Sequence, residues 1–144
     1  MFTEQLSQAL SVGAAPVHPQ TLNNSNASTG GLDMTRFHRA MFIVDIGSIT
    51  NGGSVTAKLQ ESADNTSFTD VASGSATAVT SSSKVITLEI RNDQLSSGKR
   101  YCRVNVAETA GQAAVCTCIP LGGEAVQKPA SNNDHTSVTQ RLVL

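Results

Sequence analysis

Wherever the apolar residues of this chain keep a regular spacing, the period is two. In residues 54–71, Val55, Ala57 and Leu59 alternate with Ser54, Thr56, Lys58 and Gln60, which predicts a strand with one dry and one wet face. Ala63-Asp64-Asn65-Thr66 then supplies turn residues, and Phe68 and Val71 restart the apolar pattern, so the stretch predicts a hairpin. A lone hairpin is marginal in water, and this one calls for a second layer to pack on. Residues 84–91 (KVITLEIR) alternate again, with Ile86, Leu88 and Ile90 inward. Residues 99–107 do the same with Cys102, Val104 and Val106. Residues 113–119 (AAVCTCI) close the series, and Pro120, Gly122 and Gly123 predict its end.

Residues 36–46 (RFHRAMFIVDI) read differently. Phe37, Met41 and Ile43 fall on one side and Ala40, Phe42, Val44 and Ile46 on the other, so the run predicts a central strand covered on both faces. Arg39 and Asp45 share parity with the first set and are expected at its ends, near a rim or an interface. Thr50-Asn51-Gly52-Gly53 and Thr109-Ala110-Gly111-Gln112 read as hairpin turns. Residues 76–79 are expected to form a short edge strand, and Leu95 to tuck under the turn at 92–98.

The two ends break the pattern. Phe2, Leu6 and Leu10 stand four apart, one helical stripe ended by Gly13 and Pro16. Residues 14–31 (AAPVHPQTLNNSNASTGG) carry prolines, glycines and a run of Asn and Ser. They predict a linker or an extended arm over a surface, disordered unless a partner orders it. Residues 124–144 are expected to be extended, with Arg141-Leu142-Val143-Leu144 able to add a strand to a sheet edge. The chain therefore divides into an N-terminal arm with a short helix and linker (1–31), a β-sandwich domain (32–123) and a C-terminal extended arm (124–144). The fold class is all-β, an antiparallel, jelly-roll-like sandwich with arms at both ends.

Composition narrows the chemistry. The 144 residues suit one domain; only 3% are aromatic and none is Trp, so the core is aliphatic. A net charge of -1 with no basic tract argues against nucleic acid as a partner. No apolar run reaches the ~20 residues of a membrane helix. The N-terminus, with an early acid and no basic region, argues against a secretory signal. The three cysteines, an odd number, argue against a disulfide framework and for synthesis in a reducing cytosol. The sequons at Asn23, Asn26 and Asn65 are then incidental.

Cys116 and Cys118 point the same way along a strand, but a second ligand pair for zinc is missing, so they read as small core hydrophobes together with Cys102. Asp64, Asn65 and Asp70 flank a loop without the spacing of an EF-hand, and read as turn residues. His18, His38 and His135 lie in unrelated settings, and no nucleophile or phosphate-binding motif is present. The residues therefore indicate no catalytic, cofactor or metal site, and no enzyme.

Residues 32–40 (LDMTRFHRA), 44–47 (VDIG), 58–64 (KLQESAD), 68–71 (FTDV) and 100–104 (RYCRV) resemble small tailed-bacteriophage head proteins, the decoration or cement proteins that accompany an HK97-type major capsid protein. The resemblance spans about residues 31–123, and its motifs are strands and turns. It implies binding to that capsid protein at capsomer junctions on the outside of the head, self-association as a dimer or trimer, synthesis in the host cytoplasm and residence in the virion. The residues expected to touch partners are Phe2, Leu6 and Leu10 at one end, Arg39 and Asp45 on the long strand, and Leu142, Val143 and Leu144 at the other end. The alternatives are a glycan- or receptor-binding sandwich, which would want the aromatic platform this chain lacks, and another head or tail connector component.

Overall fold

The computed structural model describes residues 4–144. A one-turn helix, α1 (Leu6–Ala9), leads into β1 (Leu10–Ser11), followed by β2 (Val17–Leu22), β3 (Ser25–Ser28), β4 (Leu32–Asp33) and β5 (Phe37–Ile49). Then come β6 (Val55–Ser62), β7 (Thr69–Ser75), β8 (Lys84–Arg91), β9 (Tyr101–Glu108) and β10 (Ala114–Ala125). All pairings are antiparallel and form two sheets. The first runs β1/β2–β10–β5–β8 and the second β3/β4–β9–β6–β7, with the two short strands of each slash sharing one edge position.

The pairings are nested. β6 pairs with β7, β5 with β8, β3 with β9 and β2 with β10, so the first half of the chain pairs with the second half in reverse order. That is one long hairpin rolled into two layers, which is a jelly roll. Its tip is the β6–β7 connection, where Asp64 accepts hydrogen bonds from the backbone N–H groups of Thr66 and Ser67 and from the Ser62 hydroxyl. Turn chemistry thus accounts for Asp64, whose carboxyl these donors hold well below the usual range. Asn65 follows with φ +59°, a conformation that Asn tolerates.

One-sided strands dictate the layering. Val55, Ala57 and Leu59 of β6 and Cys102, Val104 and Val106 of β9 face Phe42, Val44 and Ile46 of β5 and Leu88 and Ile90 of β8 across a buried core. Burial is complete or nearly so, and no buried side-chain N or O among the described residues lacks a hydrogen-bond partner.

The structure departs from the sequence reading in its connections and edges. Residues 17–28 are strands, not a linker: β2 and β3 take the edge of each sheet, and the surface over which this segment runs is its own domain's. The turns at 50–53 and 109–112 are crossovers, because β5 and β6, like β9 and β10, lie in different sheets. β10 continues through Pro120 to Ala125. Pro120 pairs with Phe42 on one side and on the other faces the break between β1 and β2, where no strand partner waits for its missing N–H. Gly122 is required there, since the ring of Phe37 lies 2.6 Å from where a Cβ would stand. Residues 76–79 make only a bridge, Val79 to Val55.

Three carboxylates fasten the two ends of the roll. The Asp33 carboxylate accepts from Arg100 Nε at 2.9 Å and from its terminal nitrogen at 2.6 Å, and this guanidinium holds the Asp33 pKa down at about 2. Asp134 accepts from the Ser11 hydroxyl and the Val12 N–H and pairs with Arg141, docking residues 130–141 against β1. Glu108, at the far end, is the third, and its carboxyl too is held low. Because Asp33 and Glu108 titrate below their values in the unfolded chain, the stability they confer is present above about pH 4 and is lost as pH falls through the folded values. Thermal melts should therefore show Tm falling between about pH 4 and pH 2, with a smaller drop over that window in Asp33→Asn. Phe42→Ala, which empties a fully buried site, should cost about 3–5 kcal/mol in chemical denaturation.

Candidate functional site

The two sheets turn different faces to the outside. On the β9 sheet the outward side chains satisfy one another. Gln60 donates to Asp70 at 2.8 Å, Arg103 donates to Gln60 at 2.9 Å, and Asn105 donates to Asn26 and Ser28 at 3.0 and 2.8 Å. Lys58 pairs with Asp70, and the Arg103 guanidinium stacks on Phe68, 3.9 Å from the ring centre. This face is polar and internally paired.

The outer face of the β10–β5–β8 sheet carries an apolar strip among polar residues. Met41 sits between Leu121 and Glu89, Ile43 between Ile119 and Thr87, and Asp45 between Thr117 and Val85. Met41 is 38% exposed, Ile119 42% and Val85 60%. The strand read as covered on both faces is thus covered on one. Ala40, Phe42, Val44 and Ile46 face the core, while Met41 and Ile43 belong to a surface that none of the described residues covers.

Of the residues expected to touch partners, Leu10 and Arg39 meet at one end of this face. Leu10 lies beside Gly123, and a groove of about 270 Å³ runs between Ala9, Leu10, Met41 and Leu121. Arg39 closes it, paired with Glu124 at 3.2 Å and Glu89 at 3.7 Å. Leu6 borders the adjoining hollow with Leu121, Val138 and Arg141. Asp45 lies at the other end of the same face, exposed and free of any ion pair among the described residues. Leu142, Val143 and Leu144 continue from Arg141 as an exposed apolar segment that forms no strand. Phe2 lies outside the described residues.

Glu108 was not singled out by sequence reasoning. It is buried at the end of β9, and its carboxylate accepts backbone N–H bonds from Asn24, Ser54, Ala110, Gly111 and Gln112 at 2.8–3.3 Å. The Asn24 N–H leads these donors in holding its carboxyl below the usual range. With every donor spoken for by the fold, Glu108 is a fastener of three loops. Its signal in the sequence was an acid at an inward parity of a strand, three residues before Gly111.

The cysteines are core. All three are free and buried, and burial pushes the thiols of Cys102 and Cys118 up to about 12 and that of Cys116 to about 11. Among the described residues no group of three His, Cys, Asp or Glu side chains could hold a metal ion, and no helix is long and apolar enough to cross a membrane.

No family model and no curated protein matches the chain. Among solved structures, it is similar to the PBSX exported protein XepA, with a TM-score of 0.57 and 16% sequence identity over 88% of this chain. The match spans 40% of XepA, so this chain corresponds to less than half of that protein. At this identity the likeness is one of fold. Because all three thiols are buried, a thiol reagent should leave them unmodified in the native protein and titrate them only after denaturation.

Proposed function

We propose that this protein is a structural component of a tailed-phage virion, a decoration or cement protein that sits on the outside of the head where HK97-type major capsid protein subunits meet, and that it is not an enzyme. One observation carries the proposal: the uncovered apolar face around Met41, Ile43, Ile119 and Leu121, on a sandwich whose other face satisfies itself. A monomer with no partner has little use for such a face, whereas burial against another protein is worth about 25 cal/mol per Å² of apolar surface. Two further features support it. Apolar residues of both terminal segments, Leu6 and Leu10 with Leu142 to Leu144, add contact area beyond the sheet. The fold is also shared with the PBSX exported protein XepA.

In this reading the rigid roll carries the face, and the exposed Leu6 and residues 142–144 reach onto adjoining subunits. Its energy is spread over a broad area with a few apolar anchors near the middle. Attachment would bridge neighbouring capsid subunits and resist the outward pressure of packaged DNA.

The experiment is reconstitution on particles that lack the protein. Such particles should assemble, yet release DNA at lower temperature than decorated ones. Ile119→Lys should abolish binding while moving the Tm of the free protein by only a few degrees, because the side chain faces outward. Removing residues 142–144 should weaken binding without changing Tm. Unimpaired binding by Ile119→Lys, or equal robustness of undecorated particles, would sink the reading. Density for the protein at the portal or tail would assign it to the connector instead.

A further inference from the structure

A two-layer roll has two edges per sheet, and here they are not alike. The β1/β2 edge is interrupted, with Pro16 in the break and Pro19 within β2. The β3/β4 edge is two short pieces separated by Gly30 and Gly31. The β7 edge is kinked: its register against β6 shifts between Lys58 and Gln60, and Ser73 adopts φ +60°. Each is blunted in a way that native sheets use to prevent pairing with other chains.

The fourth edge is β8. Its 8 residues contain no proline and no bulge, and they pair with β5 in unbroken register from Arg39↔Arg91 to Ile46↔Lys84. No strand among the described residues covers its other side. From Val85 to Leu88 it carries no charge and is built of strand-forming residues. A regular edge of this kind is a template for one more antiparallel strand.

We infer that β8 pairs with β8 of a second copy across a two-fold axis, joining the two apolar sheets into one continuous sheet. Self-pairing must place inward residues opposite inward ones, which fixes the permitted registers. The register centred on Thr87 sets Ile86 opposite Leu88 of the second copy on the core side. On the outer side it sets Thr87 opposite itself, and Val85 opposite Glu89. No two like charges are opposed or diagonal in it. Centring on Glu89 would oppose two carboxylates, and centring on Leu88 would set them diagonally. Centring on Ile86 also separates like charges but pairs only residues 84–88, so charge together with the longer pairing, 84–90, selects the Thr87 register, in which the occupant is a second copy and the contact is isologous. Half-buried Ile86 gains cover, and the apolar faces around Met41 and Ile119 run on from one copy to the next. The inference stands apart from the particle reading, because its readout is association in solution.

The test is the mass of the full-length protein by light scattering and sedimentation, with variants at Thr87, an exposed side chain. Wild type should be a dimer. Thr87→Lys should raise the dissociation constant about tenfold or more, since it places two ammonium groups directly opposite, while Tm of the fold is kept. Should that variant fold poorly, Thr87→Cys supplies the second measurement. Under diamide it should form a disulfide-linked dimer, and Val85→Cys should not, while the native cysteines stay buried and silent. A monomeric wild type would overturn the inference. So would a dimer indifferent to Thr87→Lys in which Thr87→Cys forms no cross-link, or one that dissociates only when residues 142–144 are removed.

Discussion

The buried carboxylate of Glu108 is the interaction on which the roll depends. Chain reversals between sheets leave backbone N–H groups turned away from any ladder, and at this end of the molecule they converge from three loops. Burying them unpaired would be costly, and one ionised acceptor satisfies them together. The same contact closes the β2–β3 corner, the connection after β5 and the β9–β10 crossover, so both layers are pinned at one point. Asp33 with Arg100, at another corner, is more exposed and ties the end of β4 to the approach to β9. With five backbone donors on a buried carboxylate against one half-exposed guanidinium, loss of Glu108 is expected to cost the fold more than loss of Asp33.

With its corners fixed, the molecule has two unequal sides. Polar side chains on the β9 sheet are satisfied by one another, and the β10–β5–β8 sheet leaves its apolar residues bare. On the proposed function, that bare strip is the area left to be buried by association.

Strand parity was legible wherever a strand is wet on one face. The inward sets of β6, β8 and β9 follow directly from alternation, and so does the layered all-β architecture. What alternation could not give was sheet membership. Asn51-Gly52 and Ala110-Gly111 have the chemistry of tight turns and do turn the chain, yet they hand it from one sheet to the other. Residues 17–28 were illegible for a related reason: their strands form by backbone pairing at an edge, where side chains such as His18, Gln20 and Asn26 remain in water and leave no apolar pattern. The bare face of β5 was visible as residues but not as exposure. An apolar run reads the same whether its cover lies in the chain or in a partner.

Nesting of the pairs has a consequence for how the roll comes together. β6 and β7 are joined by a short loop, β5 and β8 must bridge a longer one, and β2 waits for β10 from nearly the other end of the chain. Closure entropy rises at each step outward, so the tip around Asp64 is the natural nucleus and the layers zip from it. The segment synthesised early is therefore among the last to find its place, and until then β9 and β10 each keep an open flank.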